Sequence, residues 1–215
     1  MSVVSHKDKV IDKWRDESSP DFGYFDQVED KLGLFWTPGS VFRRQFDTLD
    51  LSFVVEIACG KGRHAAQIAD RCGKLVLVDT SKDAIEFTKN RFREMPNVEC
   101  VHSEGGESLA FIPDEAATAV FSYDAMVHFE PTTVFAYLRE TYRILKPGGR
   151  AFFHHSNYSK QPDQDFNLAP GWRNYMTSDL FRHFAHRAGL EILDHRVFQW
   201  ADPDSDALTL MRKPE

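Results

Sequence analysis

Three histidines are the chain's candidate proton acceptors: His128 in "AMVHFEP" and the neighbours His154 and His155 in "AFFHHSN". Imidazole titrates near neutrality, so a histidine at the end of a strand is the natural group to relieve a hydroxyl or an amine of its proton. Successive strand residues face opposite sides, so at most one of His154 and His155 can reach a given acceptor; the other is expected to be structural. Asn157, Trp172, Arg173 and Asn174 follow the histidine pair and would offer an acceptor an aromatic platform and hydrogen-bonding groups. Tyr24 and Trp36 near the N-terminus could cover such a site as part of a lid, with Phe25 and Phe35 beside them. No metal site is expected. His183 and His186 are neighbours on one helix surface, but Arg182 and Arg187 flank them as on a solvated face.

The second chemical feature is "VVEIACGKGRHA", Val54 to Ala65. Its Gly60-Lys61-Gly62-Arg63-His64-Ala65 satisfies the G-x-G-x-x-G/A pattern of a dinucleotide-binding turn, yet Glu56 stands four residues ahead of the first glycine, where such turns rarely need a carboxylate. Glycines between a strand and a helix let backbone approach a ligand closely, and the N-terminus of that helix would offer unpaired N–H groups. Asp79, closing "KLVLVD", would face the same crevice beyond the carboxyl ends of the strands and could bond a ribose diol. Both an NAD(P)-binding oxidoreductase and an S-adenosylmethionine enzyme would use it so.

These residues are carried by an alternation of apolar runs and amphipathic stretches that begins near Leu51. "LSFVVEIAC" and "KLVLVD" read as strands, with "GRHAAQIADRCG" as a helix between them. "TSKDAIEFTKNRFREM" is a helix capped by Thr80 or Ser81. "NVECVHSE" and "TAVFSYDAMV" are strands covered on both faces, and "PTTVFAYLRETYRILKPGG" is a helix ended by Pro147-Gly148-Gly149. "RAFFHHSN" is the fifth strand. "TSDLFRHFAHRAG" is a capped helix, and "LEILDHRVFQW" with "DALTLMRK" a closing hairpin. This is the order of an α/β protein with a mostly parallel sheet. Residues 1–50 stand outside the rhythm and are read as an N-terminal helical lid segment packed on the core, with one domain over 51–215.

Composition narrows the partners. A formal charge of −7 argues against a general nucleic-acid surface. Three cysteines at unrelated spacings, Cys59, Cys72 and Cys100, suit reduced thiols and a cytoplasmic protein. The first thirty residues lack the apolar region of a secretory signal, and no apolar run approaches the roughly 20 residues of a membrane span. Nothing here fixes an oligomeric state.

From Val54 to Trp200 the sequence resembles the class I S-adenosylmethionine-dependent methyltransferases. The resemblance lies in Glu56-Ile57-Ala58-Cys59-Gly60-Lys61-Gly62, with Ala58 where the family usually has glycine, in "LVLVDTS", in "SEGGES", in "FSYDAMVHF" and in "LRETYRILKPGGRAFF", in that order. It implies a Rossmann-like three-layer sandwich with a seven-stranded, mostly parallel sheet and a C-terminal antiparallel hairpin. It also implies S-adenosyl-L-methionine as cofactor. Glu56, Ala58, Gly60 and Gly62 would form its loop, Asp79 and Thr80 would meet the ribose, Glu104 and Gly105 the adenine, and Ser122, Tyr123 and Asp124 the methionine end. The expected activity is methylation of a small-molecule acceptor, because the motifs of amino-methylating nucleic-acid enzymes and of cytosine C5 methylation are missing. O-methylation of a hydroxylated metabolite or sugar is the first choice and N-methylation of a small amine the second. A nicotinamide-dependent oxidoreductase is the further alternative.

Overall fold

The computed structural model describes residues 6–14, 23–29, 31–104, 107–200 and 202–215. Among these, seven strands form one sheet: β1 (Phe53–Ile57), β2 (Lys74–Asp79), β3 (Val98–His102), β4 (Ala117–Ser122), β5 (Leu145–Ser156), β6 (Glu191–Phe198) and β7 (Asp206–Arg212). Their order is β3-β2-β1-β4-β5-β7-β6. The β1–β2 and β2–β3 pairs are parallel, whereas β7 pairs antiparallel with both β5 and β6. This is the mostly parallel α/β sheet with a terminal antiparallel hairpin that the sequence predicts. Among the described residues no helix is long and apolar enough to cross a membrane.

The chain divides into two compact units. The first comprises Met1–Gly106 with Ala117–Val120. Val54, Val55, Ile57, Leu75 and Leu77 of β1 and β2 are fully buried, as continuously apolar runs covered on both faces must be. β3 departs from that expectation: it is the edge strand and its residues are half-buried or exposed. The helix expected after the glycine loop is instead two 3-10 turns, Ala65–Gln67 and Ala69–Arg71, separated by Ile68 at φ −134°. Length supplies a reason. The return along a five-residue strand must span ~16 Å, whereas the nine residues from Arg63 to Arg71 cover ~14 Å as α-helix and ~18 Å at the 3-10 rise. The Asn97 side-chain amide donates to the carbonyls of Ala69 and Cys72, satisfying groups that the broken helix leaves open.

The N-terminal part of this unit folds into four short helices among the described residues: α1 (His6–Trp14), α2 (Tyr24–Glu29), α3 (Gly33–Trp36) and α4 (Val41–Phe46). Phe35, Trp36, Phe42 and Phe46 make an aromatic cluster, with Trp36 and Phe46 centroids 4.9 Å apart. α5 (Lys82–Arg91) starts where the Ser81 hydroxyl accepts the Ala84 amide at 3.1 Å.

The second unit comprises Glu107–Ala116 and Phe121–Glu215. α6 (Pro131–Ile144) buries Val134, Tyr137, Leu138, Thr141 and Ile144 along one face. Arg143 donates to the carbonyls of Leu109 and Ile112 and to Glu140 and Asp114, fastening the segment before β4 to this helix. β5 begins at Leu145, five residues before the expected start. Pro147-Gly148-Gly149 therefore lies inside the strand rather than closing the helix, because Gly148 at φ +77° lets the backbone kink and still give its amide to the Lys213 carbonyl. α7 (Ser178–Arg187) is capped by the Thr177 hydroxyl, which accepts the Leu180 amide.

Candidate active site

In the first unit, β1 runs out at Ile57 and the chain turns through Ala58, Gly60 and Gly62 at φ +55°, +52° and +73°. The left-handed region costs a non-glycine residue about 1–2 kcal/mol, so Ala58 holds it only because its surroundings impose it. The turn closes on Asp79 at the end of β2. The Gly60 amide donates to Asp79 Oδ2 at 2.8 Å and the Ser81 amide to Oδ1 at 2.9 Å. Burial pushes the Asp79 carboxyl above its ordinary pKa, and these amides oppose the shift.

Glu56 lies on β1 beneath the turn, 2% exposed. Burial pushes its pKa up to about 8, against the pull of the Arg63 charge and with a push from Asp79. The Ala65 amide bonds its carboxyl, while Oε2 has no hydrogen-bond partner among the described residues. A buried carboxyl with an unused oxygen beneath a glycine turn is poised to meet a cationic group.

The other residues expected around the cofactor and its lid are dispersed along this unit. The Thr80 carbonyl accepts from His102 Nε2 at 3.0 Å. Glu104 is exposed, 4.0 Å from Lys82 Nζ. Gly105 lies outside the described residues. Trp36 donates from Nε1 to His64 Nδ1 at 3.0 Å within the aromatic cluster, and the Tyr24 ring stands 5.6 Å from Trp14. Phe25 of α2 sits directly on the turn: a Cβ at Gly60 would stand 2.6 Å from its ring. Two arginines fasten α2 there, Arg63 donating to the Val28 carbonyl at 3.1 Å and Arg91 pairing with Glu29 at 2.6 Å.

In the second unit, β4 ends at Ser122, whose buried hydroxyl has no hydrogen-bond partner among the described residues. Tyr123 follows, its ring centroid 4.6 Å from that of His154. Asp124 is left-handed at φ +58° and donates its amide to His154 Nδ1 at 3.1 Å. His154 and His155 do face opposite sides of β5. His155 is fully buried, stacked on Phe181 at 3.5 Å, and its ring nitrogens meet the Ser156 carbonyl and the Thr209 hydroxyl. Burial lowers its pKa to about 3. The placement is that of a packing residue between β5 and α7.

His154 turns Nε2 toward Asp206 Oδ1 at 3.3 Å. Asp206 also takes Arg173 Nε at 2.9 Å and Nη2 at 3.2 Å, and the Ser205 hydroxyl at 2.8 Å. Burial alone would raise this carboxyl, but the His154 contact and the Arg173 charge outweigh it and bring the pKa to about 2. Asp206 was not among the residues singled out from sequence. Its signal was an acid opening the mostly apolar run "DALTLM".

His128, in a 3-10 turn after β4, is 6% exposed. Its Nδ1 donates to the Trp172 carbonyl at 2.8 Å, which leaves Nε2 as the nitrogen carrying the lone pair. Burial, with the Arg173 charge adding to it, lowers its pKa to about 4 against the pull of that carbonyl. Trp172 is half-buried at φ +56°, an unusual conformation for a bulky residue. The segment after it is internally bonded. The Asn174 amide donates to the Val127 carbonyl at 2.8 Å and its side chain to the His128 carbonyl at 3.1 Å. Asn157 bonds the Asp204 carbonyl and the Ser178 amide. Arg173 and Asn174 thus hold the walls of the His128 region together.

Comparison with known proteins fits this architecture. A family described as a methyltransferase domain matches residues 54–149, from β1 through the kink of β5. The "Probable thiol methyltransferase 2" of Arabidopsis thaliana is 28% identical over 91 residues, 42% of this chain and 40% of that protein. The "Probable S-adenosylmethionine-dependent methyltransferase" of Mycolicibacterium smegmatis is 25% identical over 142 residues, 66% of this chain and 52% of that one. The chain therefore spans about half or less of the curated relatives it matches. Among solved structures, geranyl diphosphate C-methyltransferase from Streptomyces coelicolor, bound to S-adenosyl-L-homocysteine, superposes with a TM-score of 0.69 at 14% identity over 99% of both chains.

Proposed function

We propose that the chain is a class I S-adenosylmethionine-dependent methyltransferase, a reading supported by the methyltransferase-domain match over residues 54–149, and that it methylates a small molecule on an acidic O–H group, with His128 receiving the proton. On this reading the glycine turn holds S-adenosylmethionine rather than a nicotinamide. The residues present fit that group. The unused Oε2 of Glu56 suits an ammonium, Asp79 keeps carboxylate lone pairs for ribose hydroxyls, and the left-handed turn at Gly60 and Gly62 admits close approach. When bound, the cofactor supplies a methyl group already activated by a sulfonium. The chain's own tasks are then to orient the acceptor, exclude water and move one proton.

The observation that carries the acceptor class is the state of His128. With Nδ1–H bonded to Trp172, Nε2 carries the lone pair of the neutral ring, and a pKa of about 4 makes it a weak base. Full proton transfer from an aliphatic alcohol, which holds its proton about as tightly as water near 15.7, would cost about 16 kcal/mol. A phenol-like hydroxyl near 10 reduces that to about 8 kcal/mol. An enol or phenol is therefore favoured over a sugar hydroxyl, and Arg173 and Asn174, engaged within the chain, are poor sugar ligands. A second reading is a thiol acceptor, whose pKa near 8.5 lowers the mismatch to about 6 kcal/mol; the similarity to the plant thiol methyltransferase supports it.

The test has two stages. Calorimetric titration with S-adenosylhomocysteine, with NAD as control, is expected to give micromolar binding of the former alone. Transfer of a labelled methyl group is then measured to matched phenols, sugars, amines and thiols. Phenols ahead of sugars and amines support the O-methyl reading, thiols ahead of all support the second, and sugars ahead of phenols would overturn the argument from His128.

A further inference from the structure

His154 was a candidate base, yet its Nδ1 is hydrogen-bonded inside the second unit, and its Nε2, with no hydrogen-bond partner among the described residues, faces a buried carboxylate. A backbone amide can only donate, so the Asp124 contact at 3.1 Å requires Nδ1 to carry the lone pair and places the ring proton on Nε2. That proton faces Asp206 Oδ1 at 3.3 Å, just beyond ordinary hydrogen-bond length, where the carboxylate acts chiefly through its charge. Asp206 is itself held by Arg173 on both oxygens and by Ser205 on Oδ2. All four side chains are buried, and Asp206 opens β7 opposite Ser156 of β5. At the far end of this chain of contacts is the amide of Asp124, in a left-handed conformation that an aspartate adopts at a cost.

We propose that Asp206 is a positioning residue: through Nε2–H of His154 it fixes the Nδ1 lone pair against the Asp124 amide and so holds the turn that follows β4. The significance for methyl transfer rests on reading that turn as part of the active site. The assignment makes His154 a positioning residue as well. Its lone pair is committed to the backbone, and its other nitrogen carries the proton.

Asparagine and glutamine separate the two sides of the imidazole. His154→Asn retains an acceptor where Nδ1 stood and loses the Nε2 side. His154→Gln retains the Nε2 side and loses the acceptor for Asp124. The full chain, labelled with nitrogen-15, reports the Asp124 amide by hydrogen exchange and the His154 tautomer by ring nitrogen shifts. The wild type is expected to show the Nε2–H tautomer and a protected Asp124 amide. Exchange at Asp124 should accelerate at least tenfold in His154→Gln and stay within threefold in His154→Asn. Asp206→Asn should populate the Nδ1–H tautomer and accelerate the same amide. A wild-type Nδ1–H tautomer, or equal exchange in the asparagine and glutamine variants, overturns the proposal even if Asp206→Asn fails to fold. S-adenosylhomocysteine affinity and turnover are measured alongside. If the exchange pattern holds while both are unchanged in His154→Gln, the positioning network stands and the placement of the Asp124 turn in the active site fails. Equal loss of turnover in both His154 variants with no change in Asp124 exchange would restore His154 as a base and overturn the assignment.

Discussion

At the scale of single residues, the two acids beneath the glycine turn were legible because of where they stand: Glu56 four residues before the first glycine and Asp79 closing a strand. Their electrostatics were not legible, since burial and neighbouring charge arise only when the elements pack. Glu56 has a direct consequence for stability. Its pKa of about 8 in the folded chain lies above the value near 4.5 of an exposed glutamate, so the folded state holds a proton that the unfolded state has released. The stabilising contribution is therefore complete below about pH 4.5 and is lost as pH rises through 8. Glu56→Gln removes that titration, and its melting temperature relative to the wild type should climb between about pH 5 and pH 8 and level off above that; parallel melting curves would contradict the burial argument. Asp79→Ala should weaken S-adenosylhomocysteine binding by about 1–3 kcal/mol, because it removes charged hydrogen-bond acceptors and also releases the Gly60 amide. Calorimetry gives the answer, and unchanged affinity would exclude Asp79 as the ribose ligand. Asp206 marks the opposite limit of legibility: an acid in a turn-rich sequence normally signals solvent, and only the converging Arg173 and His154 reveal it as buried.

At the scale of elements, hydrophobic period gave the right type for nearly every strand and helix after Leu51, because each apolar face had a partner to cover it. It failed where local propensity competed with reach. The residues Arg63 to Arg71 carry a helical pattern, but they must return along β1 and do so as 3-10 turns. The same tightness makes Gly62 intolerant of a side chain. It sits at φ +73°, and a Cβ there would stand 2.7 Å from Phe92 Cε2 and 3.1 Å from Thr88 Cγ2 of α5. Backbone strain and this crowding together should make Gly62→Ala destabilising by about 2–3 kcal/mol, a fall in melting temperature of about 4–12 °C for a chain of this size. Gly33→Ala, at the start of α3 with nothing within 4 Å of its Cβ, is the control and should be neutral or slightly stabilising. A scanning calorimeter distinguishes the two, and similar melting temperatures would mean that the turn relaxes around an added methyl group.

At the scale of the whole molecule, the order of strands and helices was readable from the sequence, but the pairing of the final hairpin was not. Its two strands could have extended either edge of the sheet. In the structure β7, the last strand in sequence, is inserted between β5 and β6, so that β6 is joined to the sheet only through it. The sequence "DALTLM" accordingly is buried throughout, including the polar Asp206 and Thr209. The chain's final residues should then decide whether the second unit folds. Leu208, Leu210 and Met211 alone remove enough apolar surface from water to contribute together about 5–9 kcal/mol, comparable with the 5–15 kcal/mol margin of an ordinary folded protein. Removal of residues 205–215 takes away this burial, the ladder bonds of two neighbouring strands, and the acid that neutralises the buried Arg173. An unpaired buried guanidinium is itself costly, so these losses reinforce one another. Urea titration of the truncated chain, followed by tryptophan fluorescence, is expected to lack the cooperative transition of the full chain or to show one with a much smaller dependence on denaturant, as the second unit no longer exposes new surface when it unfolds. A transition of undiminished steepness would mean that β5 and β6 can close on each other without β7, and that the order of the antiparallel edge is not what holds this half of the molecule together.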